Sequence, residues 1–141
     1  MKIFISCVIA YVCMCCNSSI SGSQNGNCEK YYDKNLKTWV FTKTEVMPQF
    51  SKGEITFLKL FAQKFVYPTQ EYFQGKIVLE LIINKKGVVI EKNIYKKSNL
   101  EYTEVEKEAL RVLDELPRWI PGKCNNIIVV SKIYYPINFS R

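Results

Sequence analysis

The stretch GKIVLELIINKKGVVIEKNIY, residues 75–95, decides the fold. Ile77, Leu79, Leu81 and Ile83 alternate with Val78, Glu80 and Ile82, the period of two that sends successive side chains to opposite faces of a β-strand. Asn84-Lys85-Lys86-Gly87 then supplies a tight turn, with Gly87 free of the Cβ that opposes positive φ. Val88, Ile90 and Ile94, interleaved with Glu91, Asn93 and Tyr95, form the returning strand. The segment reads as an antiparallel hairpin with one strongly apolar face.

On the N-terminal side, Trp39-Val40-Phe41 and Val46-Met47-Pro48 form an extended lead-in. Ser51-x-x-Glu54 has the spacing of a capping box, and Ile55, Leu58, Ala62 and Phe65 recur at helical spacing, so a helix is predicted over 53–65. Pro68 stops it and biases Tyr67 toward an extended backbone. On the C-terminal side, Thr103-x-x-Glu106 opens a second helix carrying Val105, Ala109, Val112, Leu113 and Leu116, which Pro117 ends. After Pro121-Gly122-Lys123 a last strand runs from about 127 to 139. The order α-β-β-α-β predicts an α+β domain over 38–141, two helices packed on a three-stranded antiparallel sheet. Pro136 lies in the last strand, and proline is confined to edges, strand ends or bulges. Two readings fit: the last strand is a sheet edge open to docking, or Pro136 marks where pairing stops.

The N-terminal third reads differently. Lys2 precedes an apolar run over 3–16 that is too short to span a bilayer, where about 20 residues are needed, and small polar residues follow. Residues 1–16 are read as a signal peptide, of lipoprotein type if Cys15 or Cys16 is the acylated residue, and of ordinary type if cleavage falls after Ser21 or Gly22. The polar stretch 17–37 reads as a flexible tether. Four of the six cysteines lie in the leader, which leaves Cys28 and Cys124 in the body, either disulfide-bonded in an oxidising compartment or present as two thiols.

Composition narrows the chemistry. Lys and Arg number 20 against 13 Asp and Glu in 141 residues, a formal charge of +7, and there is no histidine. Without histidine, Ser-His-Asp and Cys-His catalysis and His-ligated zinc are excluded. No Gly-rich phosphate loop is present, and no cofactor or metal site is expected. Lys85, Lys86, Lys92, Lys96 and Lys97 cluster on the hairpin, and Glu101, Glu104, Glu106, Glu108, Asp114 and Glu115 on or near the second helix. These read as two solvated faces, not as a nucleic-acid surface or a catalytic cluster. The chain is not expected to be an enzyme.

Taken in order, several segments resemble the C-terminal domain of TonB, the Gram-negative protein that links inner-membrane energy to outer-membrane receptors. They are Val46-Met47-Pro48-Gln49-Phe50, Tyr67-Pro68, Gln74-Gly75-Lys76-Ile77-Val78, Asn84-Lys85-Lys86-Gly87, Glu108-Ala109-Leu110-Arg111-Val112, Leu116-Pro117-Arg118-Trp119, Pro121-Gly122-Lys123 and Pro136-Ile137-Asn138-Phe139. The resemblance implies an exported domain that captures an extended segment, the TonB box of an outer-membrane receptor, by adding it as a strand beside the last strand. Contact candidates carried over are Val66, Tyr67 and Pro68, with Val129, Val130, Ser131, Lys132, Ile133, Tyr134 and Tyr135 on the edge. It implies a periplasmic protein in TonB-dependent transport, held at a membrane by a lipid anchor or an uncleaved leader, whose partner is such a receptor or another envelope protein. The chain departs from a full TonB in lacking a long Pro-rich spacer and an anchor-helix histidine. Two alternatives stay open: a self-pairing envelope scaffold that forms a homodimer, and a true energy transducer whose leader remains as an anchor.

Overall fold

The computed structural model describes residues 28–70 and 72–140. The leader, with Cys15 and Cys16, lies outside the described residues, as does most of the stretch read as a tether. The elements in chain order are β1 (Glu29–Asp33), β2 (Thr38–Lys43), β3 (Gln49–Phe50), α1 (Glu54–Lys64), β4 (Gly75–Ile83), β5 (Val89–Ile94), a 3₁₀ turn (Asn99–Glu101), α2 (Glu104–Leu113), β6 (Trp119–Ile120), β7 (Lys123–Cys124), β8 (Ile127–Ile128) and β9 (Ser131–Phe139).

The domain is α+β, as its periodicities predict, but the sheet is larger than expected. In place of three antiparallel strands there is a five-stranded mixed sheet in the order β1-β2-β9-β4-β5, with β2 parallel to β9 and the other pairings antiparallel. The hairpin of residues 75–95 forms, and β9 pairs with β4 along its whole length, from Gly75 opposite Phe139 to Ile83 opposite Ser131. The two extra strands come from the polar stretch and the lead-in. Asp33 closes their turn by accepting the Asn35 and Leu36 N–H groups at 2.9 and 3.0 Å, and Lys37 takes positive φ. The composition of this stretch is loop-like, but Tyr31 and Val40 sit opposite each other, and Val40 is fully buried with Ile82 and Val130 in a small second core. That burial joins the hairpin to the sheet, together with the pairing of β2 with β9.

The main core lies on the other face. Ile77, Leu79, Leu81 and Ile83 of β4 and Ile133 and Ile137 of β9 pack under Phe57 and Phe61 of α1 and Val105, Ala109, Leu110, Val112 and Leu113 of α2. The two helices start differently. At α2, Thr103 accepts the Glu106 N–H and Glu106 accepts the Thr103 N–H, so the capping box forms as predicted. At α1 it does not: Gly53 is the N-cap, and no side chain caps it. The positive φ of Gly53 swings the chain into the helix after Ser51, so Ser51 lies too early to reach the first turn.

The hairpin lysines and the acidic helix are not two separate solvated faces. Lys97 pairs with the buried Glu106 at 2.7 Å, while Lys92 pairs with Asp114 at 2.5 Å and donates to the Leu110 carbonyl at 2.8 Å. Opposite charges in and just after β5 and α2 therefore meet across the contact between those elements. Among the described residues no helix is long and apolar enough to cross a membrane.

Candidate functional site at the open side of the last strand

In pairing order β9 is an interior strand, yet its two sides differ. Toward β4 it is paired throughout; toward β2 the pairing consists of Phe41 opposite Ser131. The Phe41 N–H donates to the Val130 carbonyl at 2.9 Å. Because backbone groups of successive strand residues point to alternate sides, that bond fixes the direction of the rest. Lys132, Tyr134, Pro136 and Asn138 present their backbone groups to the β2 side, and Ser131, Ile133, Tyr135, Ile137 and Phe139 present theirs to β4. Pro136 is tolerated because its missing N–H would face away from β4. On the side away from β4, past β2, residues 134–138 have no strand beside them among the described residues.

A groove of about 410 Å³ lies beside this stretch, on the face that carries the helices. Met47, Pro48, Gln49 and Phe50, the start of α1 at Gly53 and Glu54, and Trp119 line one part of it; Ile133, Tyr134 and Tyr135 of β9 line the rest. The Tyr135 ring packs against Phe57 at 4.5 Å and Trp119 at 5.6 Å between centroids. Its hydroxyl is buried and has no hydrogen-bond partner among the described residues. Burial pushes the pKa of that hydroxyl up to about 12, and the Glu54 carboxylate adds to the rise.

The expected contact residues separate into three groups. Val129 and Val130 are buried, with the Val129 N–H bonded to the Gly122 carbonyl, and Ser131 is buried between β2 and β4. Lys132 is tied to Glu80 at 2.9 Å and lies over the Tyr31 ring. β2 and its hairpin thus occupy this end of the strand. Ile133, Tyr134 and Tyr135 reach the groove, and Tyr134 meets Tyr95 at 4.8 Å on the opposite face. Val66, Tyr67 and Pro68 form the third group, near the far end of β9, where Phe65 bridges Tyr67 and Phe139 with ring separations of 6.0 and 5.2 Å.

That third segment is held firmly. Tyr67 donates its hydroxyl to the Phe73 carbonyl at 2.7 Å, and the Val66 N–H donates to Glu108 at 2.9 Å. Arg111 grips Glu108 and Glu115 and donates to the Lys64 carbonyl, while Lys64 pairs with Glu115 at 2.9 Å. Hydrogen bonds from Arg111 hold the Glu108 carboxyl below its ordinary range, and the Val66 N–H adds to the effect against some desolvation. Glu108 therefore contributes stability that is complete above its unfolded pKa and is lost as pH falls through the depressed folded value. Glu108→Gln should be less stable than the parent at neutral pH, and the difference should vanish in acid, as denaturant titrations across pH would show. A difference that persists in acid would assign the loss to packing.

Trp119, Met47 and Phe50 are groove residues that strand and helix periodicity could not place there. They were visible only as pieces of a resemblance; the β3–β6 pairing, Phe50 opposite Trp119, is what brings them beside β9. Cys28 and Cys124 are joined by a disulfide across 96 positions. Among the described residues they form, with Glu45, a group of ligand-type atoms within 4.8 Å of one another. Sulfurs bonded to each other are not thiolate ligands, and Glu45 accepts the Asn125 N–H at 2.9 Å.

Two helices on one face of a sheet, with an interior strand left half uncovered beside a groove, define a small α+β domain. Residues 65–140 match the family model for the Gram-negative bacterial TonB protein C-terminal, and the chain belongs to that family. The family consists of non-enzymatic protein-interaction domains of the Gram-negative cell envelope, involved in TonB-dependent transport or receptor interaction. No curated protein and no solved structure matches the chain.

Proposed function

We propose that this protein captures an extended segment of a TonB-dependent outer-membrane receptor, or of another envelope protein, by pairing it with β9 along residues 134–138. The observation that carries this reading is the asymmetry of β9, fully paired toward β4 and paired toward β2 at Ser131 alone. Strand addition draws its affinity from backbone hydrogen bonds and its selectivity from alternate side chains. The outward N–H groups of Tyr134 and Asn138 and the outward carbonyls of Tyr134, Pro136 and Asn138 are the groups a captured strand would meet. Family membership supports a receptor as the source of the segment. The leader serves to export the domain to the periplasm and to hold it at a membrane.

A synthetic peptide copying the N-terminal segment of a TonB-dependent receptor from the same cell should bind with micromolar affinity and shift the backbone amide signals of residues 134–138. Asn138→Pro removes an outward donor without touching the β4 ladder, as Pro136 already does. It should weaken binding about tenfold, the worth of a hydrogen bond plus the obstruction of the ring. Shifts confined to 65–70, or none with any receptor peptide, would reject the reading. So would a tight dimer in sedimentation that buries β9 in a second copy.

A further inference from the structure

We infer that the groove beside β9 selects a captured segment carrying a cationic side chain, lysine or arginine, at the position that faces Tyr135. The inference rests on the strand-capture reading and adds to it a choice of ligand. Along β9, Ile133 and Ile137 pack into the core beneath the helices, so the odd-numbered side chains, Tyr135 among them, point to the helical face. A strand added next to β9 places every second side chain on that same face. One of them must then lie over the groove, because the groove is bounded by Tyr134 and Tyr135 themselves.

Three features of the groove favour a cation there. Glu54 lines it, and none of the ion pairs among the described residues includes that carboxylate. The Tyr135 hydroxyl is buried without a partner, a condition that native structures rarely leave uncorrected and that a ligand donor would relieve. Between these two polar groups the wall is apolar and aromatic, built from Met47, Phe50 and Trp119. Such a wall covers the aliphatic stem of a lysine or arginine while its charged head reaches an acceptor. An apolar side chain would fill the wall and leave the hydroxyl unmet. A glutamate would oppose Glu54. With its pKa near 12, Tyr135 stays a neutral hydroxyl at every working pH, able to accept from an ammonium or guanidinium group.

The test uses the full chain and a fluorescent receptor peptide scanned position by position with lysine, norleucine and glutamate, affinity being read by anisotropy. One position should prefer lysine to norleucine by about tenfold and reject glutamate, with the preference shrinking as salt is raised. Glu54→Gln should abolish that preference. Tyr135→Phe should reduce it in part. Equal affinity for lysine and norleucine at every position would overturn the inference and leave edge capture standing. A lysine preference unchanged in Glu54→Gln would also overturn it. Failure of every peptide to bind would instead remove the capture reading beneath it.

Discussion

Gly87→Ala should lose a large part of the stability of the domain. Gly87 sits at φ 77° in the turn between β4 and β5, and its backbone is pressed against that of Trp119. The Trp119 N–H donates to the Gly87 carbonyl at 2.8 Å, and a Cβ on residue 87 would lie 1.8 Å from the Trp119 carbonyl oxygen. That atom belongs to the main chain and cannot rotate aside. Either the turn or β6 must move by more than an ångström. The turn is also locked, since Asn84 accepts the Lys86 and Val88 N–H groups through its side chain at 2.9 and 3.0 Å. Moving β6 would draw Trp119 away from Phe50, Phe57 and Tyr135, the aromatic cluster beneath the groove. The expected cost is about 4 kcal/mol or more, against a total of roughly 5–15 for a domain of this size.

Gly53→Ala supplies the comparison. It too has positive φ, but nothing lies within 4 Å of a Cβ built there, so it should pay only the conformational cost, about 1–3 kcal/mol. Urea unfolding followed by circular dichroism would measure both. If the two variants lose equal stability, the contact with Trp119 carries no weight and Gly87 is needed only for its φ.

The same pair of glycines marks how far the sequence could be read. Gly87 was legible as a turn residue because Asn84-Lys85-Lys86-Gly87 interrupts a clean period of two. Its need to remain glycine on account of Trp119, 32 positions later, was not legible, because no local pattern reports a tertiary approach. Gly53 stood beside Ser51 and Glu54, whose spacing mimics a capping box that the backbone turn at Gly53 forestalls. Thr103 and Glu106 have the same spacing without a glycine between them, and there the box forms. The hairpin of residues 75–95, the second helix and the last strand follow from periodicity, since each buries a regular stripe of side chains in one core. The first helix forms where expected but buries Phe57 and Phe61, while Ile55, Leu58 and Ala62 of the stripe read for it are exposed. Aromatic packing under Trp119 and Tyr135 sets its inward face.

The β1–β2 hairpin did not follow, and for a physical reason. Its apolar residues, Tyr31, Tyr32, Leu36, Trp39, Val40 and Phe41, form no stripe on one face, only Val40 is fully buried, and its place beside β9 depends on a core assembled from Ile82 and Val130 far along the chain. That omission altered the candidate site. With three strands, β9 would be open from end to end; with β2 paired at Ser131, only its later part is left. Pro136 pointed to the open side correctly, but as the residue whose missing donor faces outward, not as the sign of an edge in the strand order.

Reduction of the Cys28–Cys124 disulfide should produce a loss of stability comparable to that of Gly87→Ala, by a different route. The bond ties the first described residue to β7 and closes a loop of 96 positions. In the chain-entropy account, a cross-link over a loop near 100 residues restricts the unfolded ensemble by about 4–5 kcal/mol. Few local contacts would replace it: β1 is held by its pairing with β2 and by Tyr31 at the margin of the second core, while Tyr32 and Trp39 meet edge to face, half exposed, on the other side. Dithiothreitol should therefore lower the urea midpoint of the parent protein sharply, and a Cys28→Ser/Cys124→Ser double variant should start at that lower midpoint and not respond to the reductant. Backbone amides of β1 and β2 should lose hydrogen-exchange protection before those of β4, because the hairpin can detach while the main core persists. Since β2 covers β9 at Ser131, that detachment would also lengthen the free side of β9 toward Val130. A parent protein whose midpoint ignores the reductant would mean that the two sulfurs are not bonded in solution, and that the hairpin is held by Val40 and its neighbours alone.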